Sequence, residues 1–422
     1  MIVEVIAIGT ELLLGQTVNT NAATIGAVLA DAGLEHQHSS VVGDSPDRMV
    51  DAIRLALGRA DALIITGGLG PTQDDITREA ISEATGRPLL FSDEYAERLR
   101  KWWDSRGREM PVSNLKQAEY PEGATLLENP KGTAPAIQLE TDDAWVFAVP
   151  GVPAELELLL NRYIIPVLQE RADEKAVISR VLRTYGESES RIGEMLEDIY
   201  DDQGNPSMAF LASAAEIKIR LTATATTREE AEALIAPVES AVKERLGRLV
   251  FGVDEETIEQ IVLGMAADRG WSIATAESAT GGMVASRITS IAGASKVFRG
   301  AIVAYHEDVK RTNLGVPAEV IDAHGVVSEP VAIAMADGVA HALTADVAIS
   351  VTGSAGPDAQ ERAVGTMIIA VHTPERTMAR TLSLPGDRER VRIYTTTGAL
   401  HLARLAMSGE WWSGKAPRGR WV

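Results

Sequence analysis

Ala62-Leu63-Ile64-Ile65-Thr66-Gly67-Gly68-Leu69-Gly70-Pro71-Thr72-Gln73-Asp74-Asp75 is the stretch on which the reading of the fold turns. An apolar run of strand length stops at a glycine-rich turn, and Ile76–Ala84 then has helical spacing. A strand apolar at every position is covered on both faces, as in a parallel sheet between helices. The pattern repeats on either side. Ile2–Ile8, Ser39–Val42 and Trp145–Val149 read as strands, and Thr20–Ala32 as a helix ending before Gly33. Residues 1–170 are therefore expected to form an α/β, three-layer αβα domain with a mainly parallel sheet.

The middle segment, 171–252, reads differently. Val177–Thr184 is a strand, Ser188–Ile199 a helix, Met208–Leu211 and Glu216–Thr224 paired strands, Arg228–Leu246 a long amphipathic helix and Leu249–Gly252 a short strand. That order suits a small α+β, KH-like connector. It holds no glycine-rich nucleotide loop and no basic stripe. Residues 253–409 return to an α/β pattern and are expected to form a second three-layer αβα domain. Thr257–Arg269 and Arg388–Met407 are its first and last helices; Ile273–Ala276, Ala301–Ala304, Val347–Val351 and Thr366–Val371 are strands. The tail 410–422, with Trp411, Trp412, Lys415, Arg418 and Arg420, reads as an extended end.

The 422 residues are 45% hydrophobic and 24% charged, enough apolar surface to exclude disorder as the main state. Asp and Glu number 60 against 40 Lys and Arg, a net charge of −20. Such a surface repels phosphate backbones, so direct nucleic-acid or anionic-membrane partners are not expected. The absence of cysteine rules out disulfides, thiolate metal sites and cysteine nucleophiles. Met1–Ala7 has no basic leader, and no apolar run is long enough to span a bilayer, so a cytoplasmic protein is expected.

Ligands of open α/β sheets bind beyond the carboxyl ends of the strands. Gly9-Thr10-Glu11, Gly43-Asp44, Thr66–Asp75 and Pro150-Gly151-Val152-Pro153-Ala154-Glu155 all follow strands. Gly67, Gly68 and Gly70 let backbone approach a ligand and present N–H groups. The next helix is expected to begin near Thr72, where its N-terminus favours an anion. Asp74 and Asp75, in its first turn, suit Mg²⁺ or a similar divalent ion beside a phosphate. Equally, Thr72-x-x-Asp75 reads as a capping box. The loop is neither a P-loop nor a dinucleotide fingerprint. The residues alone give a phosphate-bearing ligand with a metal.

Gly9–Gln16, Asn19-Thr20-Asn21, Gly67–Asp75, Asn129–Pro135 and Pro150–Glu155 resemble the first domain of the CinA (competence/damage-inducible) family, which is similar to the MoaB/MogA molybdopterin-binding fold. The resemblance implies a metal-dependent ADP-ribose pyrophosphatase. Its substrate contacts would be Thr10, Glu11, Asn21, Asp44, Gly67, Gly68, Gly70, Pro71, Thr72, Lys131, Gly132, Thr133, Gly151 and Glu155. Asp74 and Asp75 would hold Mg²⁺ or Co²⁺. Ala136 stands where the family usually has glycine, and its methyl is expected to narrow the pocket.

In the third segment, Ile273–Gly282 reads as a strand, a tight turn and a helix, with Ser278 in the turn. The helix N-terminus behind Gly281-Gly282 would stabilise an oxyanion. A serine nucleophile needs a base. Lys310 in Tyr305-His306-Glu307-Asp308-Val309-Lys310 serves if burial lowers its pKa, with Tyr305 relaying a proton or orienting it. Thr352-Gly353-Ser354-Ala355-Gly356 could hold a phosphate or polarise a carbonyl, and the arginines of Arg388–Arg392 could bind a 5′-phosphate. Against this, Ser278 or Thr280 reads as a plain helix cap, the arginines as an exposed face, and a serine–histidine pair with His306 or His324 stays open.

Ala276–Gly282, Tyr305–Lys310, His324–Ser328, Thr352–Asp358, Val364–Thr366 and Pro385–Arg392 look like the CinA C-terminal domain, which resembles nicotinamide mononucleotide deamidase. By that likeness Ser278 is the nucleophile, Lys310 the base and Tyr305 an assistant, with no cofactor. Thr280, Gly281, Gly282, Thr352, Gly353, Ala355, Gly356, Arg388 and Arg392 would contact substrate. Ala279 replaces a common cysteine, and Asp358–Ala363 is a shorter loop than usual. The expectation is a bifunctional, homodimeric hydrolase of pyridine-nucleotide salvage acting on nicotinamide mononucleotide and ADP-ribose. A non-catalytic nucleotide- or pterin-binding protein and a molybdopterin adenylyltransferase are the rivals.

Overall fold

The computed structural model describes residues 1–142, 144–172, 176–199, 204–213 and 216–410. The chain forms two compact units, residues 1–178 with 223–233, and residues 179–222 with 234 onward. The connector strands beyond residue 178 thus belong largely with the C-terminal domain. The expected tail lies outside the described residues except for Glu410.

The first unit holds β1 (Ile2–Ile8), β2 (Glu35–Val42), β3 (Ala62–Thr66), β4 (Leu89–Phe91), β5 (Glu119–Pro121), β6 (Thr125–Leu127), β7 (Ala136–Glu140) and β8 (Trp145–Val149). The main sheet runs β2-β1-β3-β8-β7-β6; its first four strands are parallel, and β7 and β6 are antiparallel. β4 and β5 pair separately. Only the parallel strands carried a readable apolar run, so the antiparallel edge was not expected. Ile64 packs into one core with Ile25, Leu29 and Phe147, while Leu63 and Ile65 pack into the other with Met49 and Ile53. Double burial is why β3 is apolar throughout. Glu4, the acid that interrupts β1, is buried and takes two hydrogen bonds from Arg59 at 2.8 and 2.7 Å. The register pairs Thr66 with both Ala7 and Val149, and Ile8 with Val42, so four strands end nearly level.

The connector strands β9 (Ala176–Tyr185), β10 (Ser207–Ser213), β11 (Glu216–Ala225) and β12 (Val250–Val253) form a sheet in the order β10-β11-β9-β12. The last sheet contains β13 (Ile273–Glu277), β14 (Phe298–Val303), β15 (Val347–Gly353), β16 (Thr366–His372) and β17 (Thr377–Ser383), in the order β14-β13-β15-β16-β17. β14, β13 and β15 are parallel; β16 and β17 are antiparallel. Ile273, Val347 and Ile349 share a core with the helix Arg388–Ser408, and Ala274, Ala276 and Ala348 share another with Val331, Met335 and Val339. Helices therefore cover both faces, as the sequence led us to expect. Among the described residues no helix is long and apolar enough to cross a membrane.

Inside the second unit, connector and C-terminal domain meet around His401. Its ring is fully buried, stacks on Tyr185 with centroids 3.8 Å apart, and has Nε2 3.3 Å from Glu216 Oε1. Burial pushes the imidazole pKa down to about 4, against the pull of Glu216. Unfolded histidine titrates near 6.5, so between pH 6.5 and about 4 the unfolded chain binds a proton that the folded chain refuses. Stability from this group is complete above that window and falls as pH drops through it, by about 3 kcal/mol at full extent. Denaturant unfolding at pH 7.0 and about 4.5 should show this loss, and His401→Gln should remove most of it. An unchanged pH slope in His401→Gln would refute the assignment.

Candidate functional site

The four level strand ends of the first unit enclose a cleft of 460 Å³ lined by residues from each, including Glu11, Asp44, Gly67–Pro71, Asp74, Asp75, Gly151 and Glu155. Thr133 also reaches it, and Glu11, Asn21 and Thr66 border a smaller adjoining cavity of 130 Å³. The Asp44 carboxylate accepts from the N–H and hydroxyl of Thr10, both at 2.8 Å. Asn21 Nδ2 donates to Gly151 O at 2.7 Å and Thr66 Oγ1 at 3.1 Å, while its buried Oδ1 has no partner among the described residues. Lys131 and Gly132 sit one layer back, with their amides on Asn129 Oδ1 at 3.0 and 3.1 Å. Asn129 also donates to Glu155 at 2.7 Å and so fixes that wall.

The helix after the glycine loop does not begin near Thr72. It spans Thr77–Thr85, so Asp74 and Asp75 precede it and do not occupy its first turn. The physical reason is local. Thr72 turns its N–H onto Asp75 at 2.8 Å and its hydroxyl onto both aspartates, closing a separate turn. Thr77 then ties the helix to the loop through its hydroxyl to Gly67 O at 2.8 Å and its N–H to Gly68 O at 3.1 Å. Gly67 and Gly68 have φ of 102° and 64°, and a Cβ on either would lie 2.4 Å from Ile8 O or 2.3 Å from Thr77 Oγ1. Their conformation is thus demanded by packing as well as by any ligand. Arg78, fully buried, adds bonds to Leu69 O and, at 3.4 Å, Gly70 O. Ala136 does not narrow the cleft: it is fully buried in the core with Phe147 and Leu156.

Among the described residues no three His, Asp or Glu side chains gather as a metal cage. Asp74 and Asp75 fit a divalent ion only as a carboxylate pair that shares it with ligand phosphates, a common arrangement for Mg²⁺.

In the second unit, Ser278 follows β13, and its N–H is fixed to Val351 O of β15 at 2.9 Å. Lys310 lies in the helix Glu307–Leu314, after β14, with 2% of its surface exposed. Its Nζ is 3.1 Å from Ser278 Oγ, 2.8 Å from Ala304 O and 3.4 Å from Tyr305 O. Burial holds the Lys310 pKa below its usual value, opposed by the carboxylates of Glu307 and Glu361. With two carbonyls accepting two N–H groups, a neutral amine would aim its lone pair at the serine oxygen. The alternative base His306 instead caps the Lys310 helix, its Nδ1 accepting from Asp308 N–H at 3.4 Å.

Several expected roles change. The helix behind Gly281-Gly282 is only Met283–Thr289, and its N-terminal amides are already taken. Fully buried Glu277 accepts from Gly282, Val284 and Ala285 N–H at 2.9, 3.1 and 2.9 Å. That N-terminus therefore has no capacity for an oxyanion, because the preceding residue supplies its own anion. Thr352 spends its hydroxyl proton on Val326 O at 2.9 Å. Arg392 donates to Ala279 O at 3.0 Å and Thr280 O at 2.9 Å, bracing the serine turn and not an exposed face. Tyr305 reaches Lys310 through its carbonyl; its hydroxyl accepts from Arg388 Nη2 at 3.0 Å. Arg388 also bonds Gly356 O. Gly353 ends β15, and Ala355 is buried beside it. The Thr280 hydroxyl is buried with no partner among the described residues. Ala279 faces the core, and the 358–363 loop is held by Gln360 N–H on Ser354 Oγ and by Val327 N–H on Glu361, both at 3.0 Å.

Glu277, Arg78 and Asn129 are the organising residues that sequence reasoning missed. A carboxyl directly before the nucleophile and a basic residue in the first turn after a glycine loop were the available signals.

Comparison with known proteins agrees with this architecture. Residues 4–170 match the family described as "Probable molybdopterin binding domain", 179–252 the "Damage-inducible protein CinA KH domain" and 255–407 the "CinA C-terminal domain". A CinA-like protein of Frankia casuarinae is 45% identical over 416 residues, covering 96% of each chain. One of Dictyoglomus turgidum is 38% identical over 406 residues, covering 96% of this chain and 98% of its own. A crystal structure of CinA from Thermoplasma acidophilum, titled as of unknown function, is 36% identical and covers 39% of this chain and 97% of its own, with a TM-score of 0.37. With relatives this similar along almost its whole length, the chain belongs to the CinA family.

Proposed function

We propose that the C-terminal domain hydrolyses the amide of nicotinamide mononucleotide to nicotinic acid mononucleotide and ammonia. The observation that carries this reading is the buried Lys310 Nζ, 3.1 Å from Ser278 Oγ. Neutral Lys310 takes the Ser278 proton as Oγ attacks the amide carbon. The same lysine returns that proton to the departing nitrogen, which leaves as ammonia, and an acyl-serine remains. Water, deprotonated by Lys310, then cleaves the ester to the carboxylate and restores the serine. With the helix terminus occupied by Glu277, the turn amides of Ala279 and Thr280 are the oxyanion donors at hand. Arg388, exposed and bonded to the Tyr305 hydroxyl, suits the 5′-phosphate.

For the first unit we propose hydrolysis of ADP-ribose to AMP and ribose 5-phosphate in the strand-end cleft. The glycine loop would seat the pyrophosphate. Asp74 and Asp75 would hold a divalent ion with it, and that ion supplies charge neutralisation.

Ser278→Ala should lower ammonia release from nicotinamide mononucleotide by roughly 10³-fold or more, with ADP-ribose turnover unchanged. Undiminished ammonia release would reject the nucleophile. Because burial depresses the Lys310 pKa, kcat/KM should rise with pH with its midpoint below the ordinary lysine value of 10.5, and Lys310→Arg should be inactive throughout. A midpoint at or above that value would contradict a desolvated base. AMP formation should vanish with chelator and fall at least about tenfold in Asp74→Ala; indifference to both would remove the metal from the cleft.

A further inference from the structure

The loop Gly67–Gly70 is held from behind at every carbonyl. Thr77 Oγ1 takes Gly67 O, Thr77 N–H takes Gly68 O, and the Arg78 guanidinium takes Leu69 O and Gly70 O. Each of these peptides is trans, so an N–H points opposite to the carbonyl of the residue before it. With three successive carbonyls drawn toward the first turn of the helix Thr77–Thr85, the N–H groups of Gly68, Leu69 and Gly70 turn away from it, toward the cleft these residues line. None of the three donates to a protein acceptor among the described residues. Pro71, with no N–H, ends the series.

Behind them lies an unusual charge. Arg78 is 0% exposed, and its Nε has no partner among the described residues. No carboxylate lies within ion-pair distance of it among those residues; Glu79, Asp75 and Glu119 act on it only from farther off, as does Tyr95. A buried cation with no carboxylate partner is destabilising unless a counter-charge is brought near. Leu69 and Gly70, whose carbonyls it holds, line the cleft, and Arg78 itself does not.

We propose that Arg78 is the buried counter-charge and positioning residue of the N-terminal site, acting on the Gly68, Leu69 and Gly70 amides that seat the pyrophosphate. This rests on reading the cleft as a phosphate site, and it adds a residue that never touches the ligand. The arginine acts through two carbonyls: it orients the Gly70 amide by its bond to Leu69 O and places a positive charge behind all three donors.

The test is calorimetric titration of the full-length protein with inorganic pyrophosphate. The native chain should bind, Arg78→Met should bind at least tenfold more weakly, and Arg78→Lys, which retains the charge, should recover part of the loss. Circular dichroism melting reports whether each variant is folded. A folded Arg78→Met that binds as tightly as the native chain overturns the proposal, as does an Arg78→Lys no better than Arg78→Met. Should Arg78→Met not fold, hydrogen exchange of the native chain decides: pyrophosphate should slow exchange in the segment 68–70, and no slowing overturns the proposal. Pyrophosphate binding without ADP-ribose hydrolysis would remove the pyrophosphatase reading and leave this one standing.

Discussion

Burial of both sheet faces is the constraint from which the rest of the molecule follows. A strand such as β3, apolar at all of Ala62–Ile65, stays out of water only when helices cover both sides. Parallel strands must be joined by crossovers, and the crossovers return each chain segment to the same rim. The register then levels the ends of β1, β2, β3 and β8, so glycines and carboxylates from segments as distant as Glu11 and Glu155 meet in one cleft. The C-terminal sheet repeats the logic: β13 delivers Ser278, β14 leads to Lys310, and β15 fixes the serine amide through Val351.

The two rims treat their turn amides in opposite ways. After β13, Glu277 places its carboxylate on the amides that open the next helix, so that terminus is electrostatically closed to a second anion. After β3, the following helix instead captures carbonyls, and the loop amides are left outward. A glycine-rich turn before a helix is therefore not one kind of site. Whether it binds an anion depends on which side of its peptide planes the neighbouring side chains occupy.

Lys310 shows how location gives a common residue its chemistry. An exposed lysine is a hydrated cation. This one sits beneath Ser278, Ala304 and Tyr305 with its Nζ surrounded by oxygen atoms, and burial weakens its hold on the proton. The carboxylates of Glu307 and Glu361 oppose that effect. The stack of Tyr185 on His401 is the parallel case within the same unit, where a buried titratable ring joins connector and C-terminal domain.

Sequence alone determined the α/β class, the strands Ile2–Ile8, Ala62–Thr66 and Trp145–Val149, the helix Arg228–Leu246 and the order of the connector, because hydrophobic period and glycine punctuation are local properties. It also brought Ser278 and Lys310 forward as candidates, through the motifs that carry the family likeness. It did not place the antiparallel strands β6 and β7, which have no continuous apolar run; and although the spacing over Ile76–Ala84 met the helix Thr77–Thr85, the expected start near Thr72 failed because hydrogen bonds back to Gly67 and Gly68 set it at Thr77. Tertiary structure decided that Arg392 braces the serine turn, that Thr352 bonds Val326, that the Ala136 methyl packs into the core and that Arg78 lies under the loop. These are facts about which partner a polar or apolar group finds in three dimensions, and residue order does not contain them.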